Sequence, residues 1–394
     1  MDRYPDYDLI VGGAGVSGLL AASEAALAGL NVLVLEDDWE IGHPERCDGL
    51  VSMNGLMSLG IIPSSKSFQN EIKRVIFHSP GGIQIELKSE KQKVVVLDRR
   101  CFDKDLARKA TMNGAEINTG VKVESVLEKN NIVNVKAKKD LRSSVYIEAH
   151  GISSLIKSKK DGFLQAARYD VQGRWFQEDT LEMYFNNLAY PGFFLWVIPL
   201  GNDTAKVGVA GKSINCYRIL DKFVKERKLN VINKIGAPIY IGGPLDKFVN
   251  GRIIKVGDAA GLTKPSTAGG IYSGGFSGII AGQAVSKFIK EDDSSTLGMY
   301  EEKWNDQFKN EFETISQARK IFERLDNRSI DKLFKAIQTS GILNEISLIG
   351  DFDFHSTSIF KILGVKKVLQ IAGIVASNEA RNFSALMKSF INKK

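Results

Sequence analysis

Three glycines and one acidic residue near the start of the chain have the types and the spacing that bind a dinucleotide. Gly13, Gly15 and Gly18 form a GxGxxG pattern. In such a pattern the first glycine makes a tight turn, the second lets the backbone approach a pyrophosphate, and the third lets a helix pack close to a strand. Glu36 follows Gly13 by 23 residues. An acidic residue roughly 20 positions on accepts hydrogen bonds from a ribose, which favours FAD or NAD over NADP.

The elements that would position these residues are visible around the pattern. Residues 9–11 form a short apolar run that predicts a buried strand, and residues 32–35 form a second one. The small residues between them predict a helix, whose N-terminus offers unpaired N–H groups and a partial positive charge to phosphates. This strand–turn–helix–strand context favours a nucleotide site over the alternative, a glycine-rich turn in an ordinary sheet.

A second glycine-rich pattern lies far along the chain. The sequence GDAAG begins at Gly257, directly after a predicted strand, and is followed by Pro265 and by GGI at 269–271. The carboxylate of Asp258 then lies at the carboxyl edge of the sheet, where it can accept a hydrogen bond from a ribityl hydroxyl. The small residues let backbone N–H groups reach the pyrophosphate and the pyrimidine ring of a flavin. The two patterns together predict FAD as the cofactor.

The composition is that of an ordinary globular protein. The 394 residues are 43% hydrophobic and 25% charged, with a net charge of +7, and they predict two or three domains. We find no nucleic-acid motif, no signal peptide and no apolar run long enough to span a membrane. Cys47, Cys101 and Cys216 are far apart, without disulfide or metal-ligand spacing, so we expect no metal site and a cytoplasmic location.

The order of the predicted elements indicates an α/β fold with three parts. Alternating strands and helices predict a Rossmann-like FAD-binding domain from residues 1–164 and 246–300. Alternating and aromatic runs predict a second, antiparallel-sheet substrate domain at 165–245. Helical periodicity then dominates, which predicts a helical C-terminal region at 301–394.

Three further segments carry a family resemblance. They are EIGHPERC at 40–47, LDR with FDK at 97–104, and FLWVIP at 194–199. They are similar to the EIG-x-P-x-(K/R)-C-G, L-x-R…F-D and Y-x-W-x-F-P motifs of the archaeal geranylgeranyl reductases, flavoproteins of the p-hydroxybenzoate-hydroxylase fold. The resemblance covers nearly the full length. It implies reduction of C=C bonds in the isoprenoid chains of archaeal lipids by bound FADH2.

The resemblance also implies which residues line the site. Those expected around FAD, several through backbone atoms, are Gly18, Glu36, Cys47, Asp48, Leu50, Arg99, Val123, Asp258, Gly270 and Ile271. Those expected to contact substrate near the flavin ring, in the second domain, are Phe194, Trp196 and Pro199. For Trp196 the alternative is a position in the hydrophobic core, without contact to substrate. For Arg99 we expect a contact to the pyrophosphate or to the nearby loop, with a surface ion pair as the alternative.

Cys47 is the residue most suited to the chemistry that the resemblance implies. Saturating an alkene needs a hydride at one carbon and a proton at the other. A thiol near the flavin ring would supply that proton or stabilise the developing positive charge. The neighbouring Arg46 would favour the thiolate, which weakens an acid role. The alternative is a cysteine that only packs against the flavin.

Three positions depart from the family pattern. Asp48 follows Cys47 where the family has glycine, which adds a carboxylate to the loop. Phe194 replaces a tyrosine, which suggests a wholly apolar tunnel or a relaxed substrate preference. His150 replaces the aspartate of an Asp-Gly motif, so we expect a change in nicotinamide handling or FAD affinity.

The sequence leaves several functions and partners open. Besides a prenyl-lipid reductase we considered a monooxygenase of the same fold, a reductase of a quinone prenyl side chain, and a lipid-binding flavoprotein without turnover. No second GxGxxG occurs, so the electron donor is expected to be transiently bound NAD(P)H or a ferredoxin-like carrier. Residues 355–394 read as basic amphipathic helices, which predict either peripheral membrane contact or a basic outer face of the fold.

Overall fold

The computed structural model describes residues 5–88, 92–156, 159 and 161–363. The chain divides into two compact units. Unit 1 comprises the described residues within 1–71, 94–164 and 235–316. Unit 2 comprises those within 72–93, 165–234 and 317–394.

Strands predominate before residue 256 of the described chain, and helices predominate after it. The strands are β1 Tyr7–Gly12, β2 Val32–Leu35, β3 Leu50–Ser52, β4 Phe68–Ile72, β5 Arg74–His78, β6 Gln84–Lys88, β7 Val94–Leu97, β8 Glu116–Asn118, β9 Ser125–Lys129, β10 Ile132–Lys136, β11 Asp140–Glu148, β12 Phe163–Gln172, β13 Thr180–Phe185, β14 Phe194–Gly201, β15 Thr204–Gly211, β16 Asn230–Gly236, β17 Ile239–Tyr240, β18 Val249–Asn250 and β19 Ile253–Lys255. The helices are α1 Val16–Leu27, α2 Met53–Ser58, α3 Arg99–Met112, α4 Ser153–Ile156, α5 Cys216–Glu226, α6 Ile271–Glu291, α7 Ser295–Glu323, α8 Asn327–Thr339, α9 Leu343–Ile349 and α10 Ser356–Leu363. A short 3₁₀ helix, Gly257–Ala260, precedes α6.

The main sheet of unit 1 has the order β18–β19–β11–β1–β2–β8. β1 pairs in parallel with β11 and β2, and parallel pairing continues to β19 on one side and β8 on the other. Leu9, Ile10 and Val11 at its centre are fully buried, as expected for parallel strands covered on both faces. β9 and β10 extend β11 as an antiparallel ribbon, and β3, β7 and β4 form a separate small sheet.

Helices α1 and α6 pack closely through a row of glycines in unit 1. Gly274, Gly278 and Gly282 recur every four residues on α6 and therefore share one face. A Cβ on Gly278 would meet the Ser17 carbonyl oxygen of α1 at 2.1 Å, and one on Gly282 would meet the Ala21 carbonyl oxygen at 2.5 Å. Only glycine lets the two helix backbones approach this closely, so these positions set the helix crossing.

Unit 2 is built on a second sheet with the order β16–β12–β15–β14–β13–β5–β6. β12, β15, β14 and β13 pair antiparallel in succession. One face of this sheet is apolar, with Tyr169, Val197 and Val207 fully buried, and it packs against Leu220 and Phe223 of α5. In the same unit, Ile85 of β6 packs against a cluster of apolar side chains that includes several from α8.

The predicted fold class is confirmed: a Rossmann-type sheet, an antiparallel sheet and C-terminal helices are all present. The domain boundaries proposed from the sequence stay predictions. β5 pairs in parallel with β13, with His78 beside Tyr184, and β6 pairs with β5, so both strands lie in the second sheet although the sequence assigned them to the FAD-binding domain. We propose adding them to the substrate domain.

The C-terminal region is described only as far as α10. Most of the basic helices predicted at 355–394, from residue 364 onward, lie outside the described residues. Among the helices that the structure describes, none combines the length and apolar character needed to cross a membrane.

Candidate cofactor-binding and active site

The first glycine loop has the conformation that its sequence requires. Gly13 has φ +107°, and a Cβ there would meet the Ala149 carbonyl oxygen at 2.4 Å. A Cβ on Gly18 would meet the Gly13 carbonyl oxygen at 2.1 Å, whereas no atom lies within 4 Å of that position on Gly15. Gly13 and Gly18 are therefore fixed by close packing. Gly15 leaves open space at the N-terminus of α1, where a pyrophosphate can approach the backbone.

Glu36 lies at the end of β2, beside this loop. Its Oε2 accepts a hydrogen bond from the Ala14 N–H at 2.6 Å, and its Oε1 accepts one from the Asp38 N–H at 3.0 Å. Burial raises the pKa of the Glu36 carboxyl, although the two backbone donors oppose that shift. The carboxylate is thus held at the start of α1, the position from which such a residue binds a ribose.

The second glycine-rich pattern meets the first at the α1–α6 crossing. Gly257 has φ +57°, and a Cβ there would meet the Ser17 Oγ at 2.3 Å. Asp258 accepts a hydrogen bond from the Thr263 hydroxyl at 3.0 Å. Its Oδ1 also lies 3.1 Å from the position of a Cβ on Gly270, the residue before α6 begins. Burial raises the pKa of the Asp258 carboxyl, although the hydrogen bond from Thr263 and the charge of Arg99 act to lower it.

These features fit FAD. Unit 1 offers two helix N-termini, a carboxylate suited to a ribose and a second carboxylate suited to a ribityl hydroxyl. Any residue with a Cβ at position 15 would occupy the open space that the pyrophosphate of FAD would use. Gly270 and Ile271 stand at the N-terminus of α6, where backbone N–H groups are free of intrahelical partners.

The loop that carries Cys47 is fixed to β7. A Cβ on Gly49, which has φ +80°, would meet the Leu97 carbonyl oxygen at 2.1 Å. The Leu97 N–H donates to the Gly49 carbonyl oxygen at 2.9 Å, and the Gly49 N–H points to Cys47 Sγ at 3.5 Å. Earlier in the loop, Glu40 forms ion pairs with Arg100 and Lys104 of α3.

Arg99 links Cys47 to α3. Its guanidinium makes two hydrogen bonds to the buried Asp103 carboxylate, at 3.0 and 2.9 Å, and it also hydrogen-bonds the Cys47 sulfur. Its backbone N–H donates to Glu45 at 3.1 Å. Burial lowers the pKa of Arg99, but Asp103 and Cys47 raise it by more. The structure thus shows that Arg99, 52 positions further along the chain, supplies a cation at the thiol, where the sequence drew attention to Arg46.

The other predicted cofactor residues lie on neighbouring elements of unit 1. Asp48 directly follows Cys47, and Leu50 begins β3 opposite Val96 of β7. Val123 packs against the apolar cluster beneath β1 and β2. The structure therefore brings the two glycine patterns together and joins Cys47 to Arg99. Val123 is only partly buried against its cluster, and its contact with FAD stays a prediction.

His150 lies against the glycine loop. A Cβ on Gly12 would meet His150 Nε2 at 2.3 Å, and the Tyr146 hydroxyl lies 3.3 Å from the same nitrogen. The imidazole therefore contacts the residue that precedes Gly13. Its effect on FAD affinity or on nicotinamide handling stays a prediction.

The three predicted substrate residues lie on β14 in unit 2. Phe194 and Pro199 are buried. Trp196 lies over Gly208 of β15, where a Cβ would be 2.2 Å from Trp196 Cζ2. The Phe194 ring contacts the indole edge-on at 5.9 Å. Within the part of the chain that the structure describes, the buried Trp196 Nε1 has no hydrogen-bond partner.

Two structural determinants were missed from the sequence. The α6 glycine row was visible as a spacing of four, but we considered only the glycines at 269–270. The buried side chain of Lys264, in the loop before α6, gave no signal because its surroundings depend on the folded loop.

Comparison with known proteins bears on the cofactor and on the family. Residues 6–150 match the family described as FAD binding domain. Digeranylgeranylglycerophospholipid reductase 2 of Methanopyrus kandleri is 30% identical, over 86% of this chain and 92% of the relative. Digeranylgeranylglycerophospholipid reductase of Methanocaldococcus jannaschii is 31% identical, over 85% of this chain and 91% of the relative.

A solved structure shows the same fold. The geranylgeranyl bacteriochlorophyll reductase-like protein of Thermoplasma acidophilum superposes with a TM-score of 0.82 at 24% identity, covering 96% of this chain and 99% of that one. The cofactor is therefore FAD, and the resemblance found in the sequence is confirmed. The chain belongs to the digeranylgeranylglycerophospholipid reductase family.

Proposed function

We propose that this protein is an FAD-dependent reductase that saturates C=C bonds in the geranylgeranyl chains of archaeal membrane lipids. The observation that carries this proposal is family membership over most of the chain, with both glycine patterns folded into one FAD site. The loop shaped by Gly13 and Gly18 would hold the pyrophosphate at the open backbone of Gly15, with Glu36 at the ribose and Asp258 at the ribityl chain.

Bound reduced FAD would supply a hydride to one alkene carbon. We assign the proton for the other carbon to Cys47, either directly or through a water that it positions. Arg99 would stabilise the thiolate that remains, and its two hydrogen bonds to Asp103 hold the guanidinium in place. Solvent would then return a proton to Cys47. One hydride and one proton account for the two hydrogens added to each double bond.

The substrate side of the proposal rests on β14. Phe194 and Trp196 are two positions apart and so share one face of β14, where they would form an apolar wall for the prenyl chain. Pro199 pairs with Ala205 on the face that packs against α5, so we leave it out of that wall. Phenylalanine in place of the family tyrosine removes a hydroxyl from that wall, which suits a substrate segment without hydrogen-bonding groups. The side chains of Phe194 and Trp196 touch each other, which supports a common role.

The electron donor is proposed to be NAD(P)H in transient contact, or a ferredoxin-like carrier. This follows from the single GxGxxG in the sequence, which Glu36 marks as the FAD site. Anaerobic mixing of the oxidised protein with NADH, NADPH or a reduced ferredoxin would identify the donor by the rate of flavin bleaching. A flavin that is bleached by none of the three would remove both classes of donor from the proposal.

Peripheral contact with the membrane is a further part of the proposal. It is supported by the net charge of +7 and by seven basic residues against one acidic residue in 355–394, together with a lipid substrate. Flotation with neutral and with anionic vesicles tests it. We expect binding to the anionic vesicles alone, weakened by salt. Equal recovery in the unbound fraction for both vesicles would contradict it.

The proposed reaction is tested by supplying substrates to photoreduced protein without oxygen. We expect reoxidation of the flavin by a geranylgeranyl glycerophospholipid, and slower or no reoxidation by a quinone with a prenyl side chain. Faster reaction of the quinone would indicate that the substrate is a quinone with a prenyl side chain. A flavin that stays reduced with both lipids, yet reoxidises with oxygen and an aromatic acceptor, would instead indicate a monooxygenase.

A further inference from the structure

Lys264 is a buried lysine next to the start of α6. The residue is only 7% exposed and lies in the loop between the 3₁₀ helix and α6. Lysine is rarely buried to this degree, because removing an ammonium group from water is costly. A lysine held inside a cofactor-binding loop brings a basic side chain close to the cofactor site.

The backbone of this loop brings residue 264 beside residue 269. The Lys264 N–H donates to the Gly269 carbonyl oxygen at 2.9 Å, and the Ala268 N–H donates to the Lys264 carbonyl oxygen at 2.9 Å. Ala268 has φ +57°, in the left-handed region. These two hydrogen bonds close the loop on itself, so that residues 264 and 269 lie side by side.

The ammonium group lies over Gly269. A Cβ on Gly269 would be 3.1 Å from Lys264 Cε and 3.7 Å from Lys264 Nζ. The next residue, Gly270, lies against the Asp258 carboxylate in the same way, with Oδ1 at 3.1 Å from its Cβ position. A cation and a carboxylate thus flank two successive glycines immediately before α6.

The two glycines before α6 matter for a bound flavin because the negative charge of the reduced flavin would develop near them. The backbone of Gly270 and Ile271 is the part of the chain predicted to reach the pyrimidine ring. Uptake of two electrons and one proton from a hydride donor leaves the reduced ring with a negative charge at the N1–C2 edge of that ring. The N-terminus of α6 contributes a partial positive charge there, and a protonated lysine would contribute a full one.

We propose that Lys264 sets the reduction potential of the bound FAD by placing its ammonium group at the pyrimidine edge of the flavin. The lysine would act through its charge and exchange nothing with the substrate. It favours the reduced state and so eases electron uptake from the donor. The inference deepens the proposed function, since it uses the FAD site, but it does not depend on which lipid is reduced.

The test compares Lys264→Met with Lys264→Arg and with Lys287→Met. Lys287 lies farther along α6, is 43% exposed in its side chain and pairs with Glu291, so its loss removes the same charge at a distance from the loop. The readouts are the midpoint potential, by equilibration with reference dyes, and the affinity for sulfite. Sulfite adds to flavin N5 and places negative charge on the same edge of the ring.

For Lys264→Met we expect at least tenfold weaker sulfite binding and a potential lower by about 30 mV or more, since tenfold corresponds to about 30 mV for a two-electron couple. Lys264→Arg should stay near the unmodified protein, and Lys287→Met should not differ from it. Lys264→Gln replaces the methionine variant if that one does not retain FAD.

Three results would overturn the proposal. One is an unchanged potential in FAD-bound Lys264→Met or Lys264→Gln. Another is an equal shift in Lys287→Met, which would show a general charge effect. The third is weaker FAD binding with the potential of the bound fraction unchanged, which would make Lys264 a binding residue only. A potential that shifts as expected in a protein inactive on prenyl lipids would leave this proposal standing and remove the proposed function.

Discussion

Gly278 of α6 lies so close to Ser17 of α1 that a Cβ on the glycine would meet the Ser17 carbonyl oxygen at 2.1 Å. Ser17 belongs to the first glycine pattern, and its Oγ also lies where a Cβ on Gly257 would stand. The crossing of two helices thus brings together two cofactor-binding patterns that are far apart in the sequence. We therefore expect FAD binding to depend on helix packing as well as on the residues that touch the cofactor.

The first prediction concerns this crossing. Gly278→Ala should destabilise the protein by about 1–3 kcal/mol and weaken FAD binding, because the added methyl group forces the helices apart. The matched control is Gly298→Ala on α7, where no atom lies within 4 Å of the Cβ position. That change should be neutral or stabilising by up to about 1 kcal/mol. Thermal unfolding and FAD titration measure both, and equal stability of the two variants would contradict the packing argument.

The second prediction concerns the proton donor. Cys47→Ala should retain FAD and slow alkene reduction on the order of 10²-fold or more, because general acid catalysis contributes that much. Cys101→Ala, at the start of α3, is the control and should react at the normal rate. Single-turnover reoxidation of the reduced flavin by lipid gives the rates. Normal turnover in Cys47→Ala would remove this thiol from the mechanism.

The third prediction distinguishes a role of Arg99 in stability from a role in alkene reduction. Arg99→Met leaves the buried Asp103 carboxylate without its cation and should destabilise the protein by about 3 kcal/mol. The double variant Arg99→Met with Asp103→Leu should regain most of that stability, since no charge is then left buried and unpaired. It should nevertheless remain slow in alkene reduction, because Cys47 lacks the adjacent guanidinium. A double variant that is both stable and fast would show that Arg99 has only a structural role.

The fourth prediction is a pH dependence in unit 2. Burial raises the pKa of Glu182, but hydrogen bonds with His78 at 2.8 Å and Tyr184 at 2.5 Å lower it by more. The net pKa in the folded state is therefore below its unfolded value. The stabilisation is present above the unfolded pKa, about 4.3 for glutamate, and is lost as pH falls through the folded pKa.

Glu182→Gln measures this contribution directly. The difference in unfolding free energy between the two proteins should be fully present above about pH 5 and should shrink as the pH is lowered below about 4. Thermal or denaturant unfolding at several pH values gives the difference. A difference that stays constant with pH would show that the Glu182 charge does not contribute to stability.

The local parts of the site were predictable from sequence, because a glycine loop between a strand and a helix defines its own geometry. The GxGxxG pattern, Glu36 and Asp258 all fall into this class. A contact of Arg99 with the nearby loop was among the expectations, but its specific partner Cys47 was not, since Arg99 reaches the thiol only after α3 docks beside the loop. The membership of β5 in the second sheet was missed for a similar reason, because a short strand does not reveal its pairing partner.

Reduction of prenyl double bonds by this protein is tested most directly by the mass of the lipid after one anaerobic turnover. Photoreduced protein mixed with an equimolar geranylgeranyl glycerophospholipid should yield lipid carrying two added hydrogens, in step with reappearance of the oxidised flavin spectrum. An unchanged lipid mass, with the flavin still reduced and the lipid bound, would contradict the account.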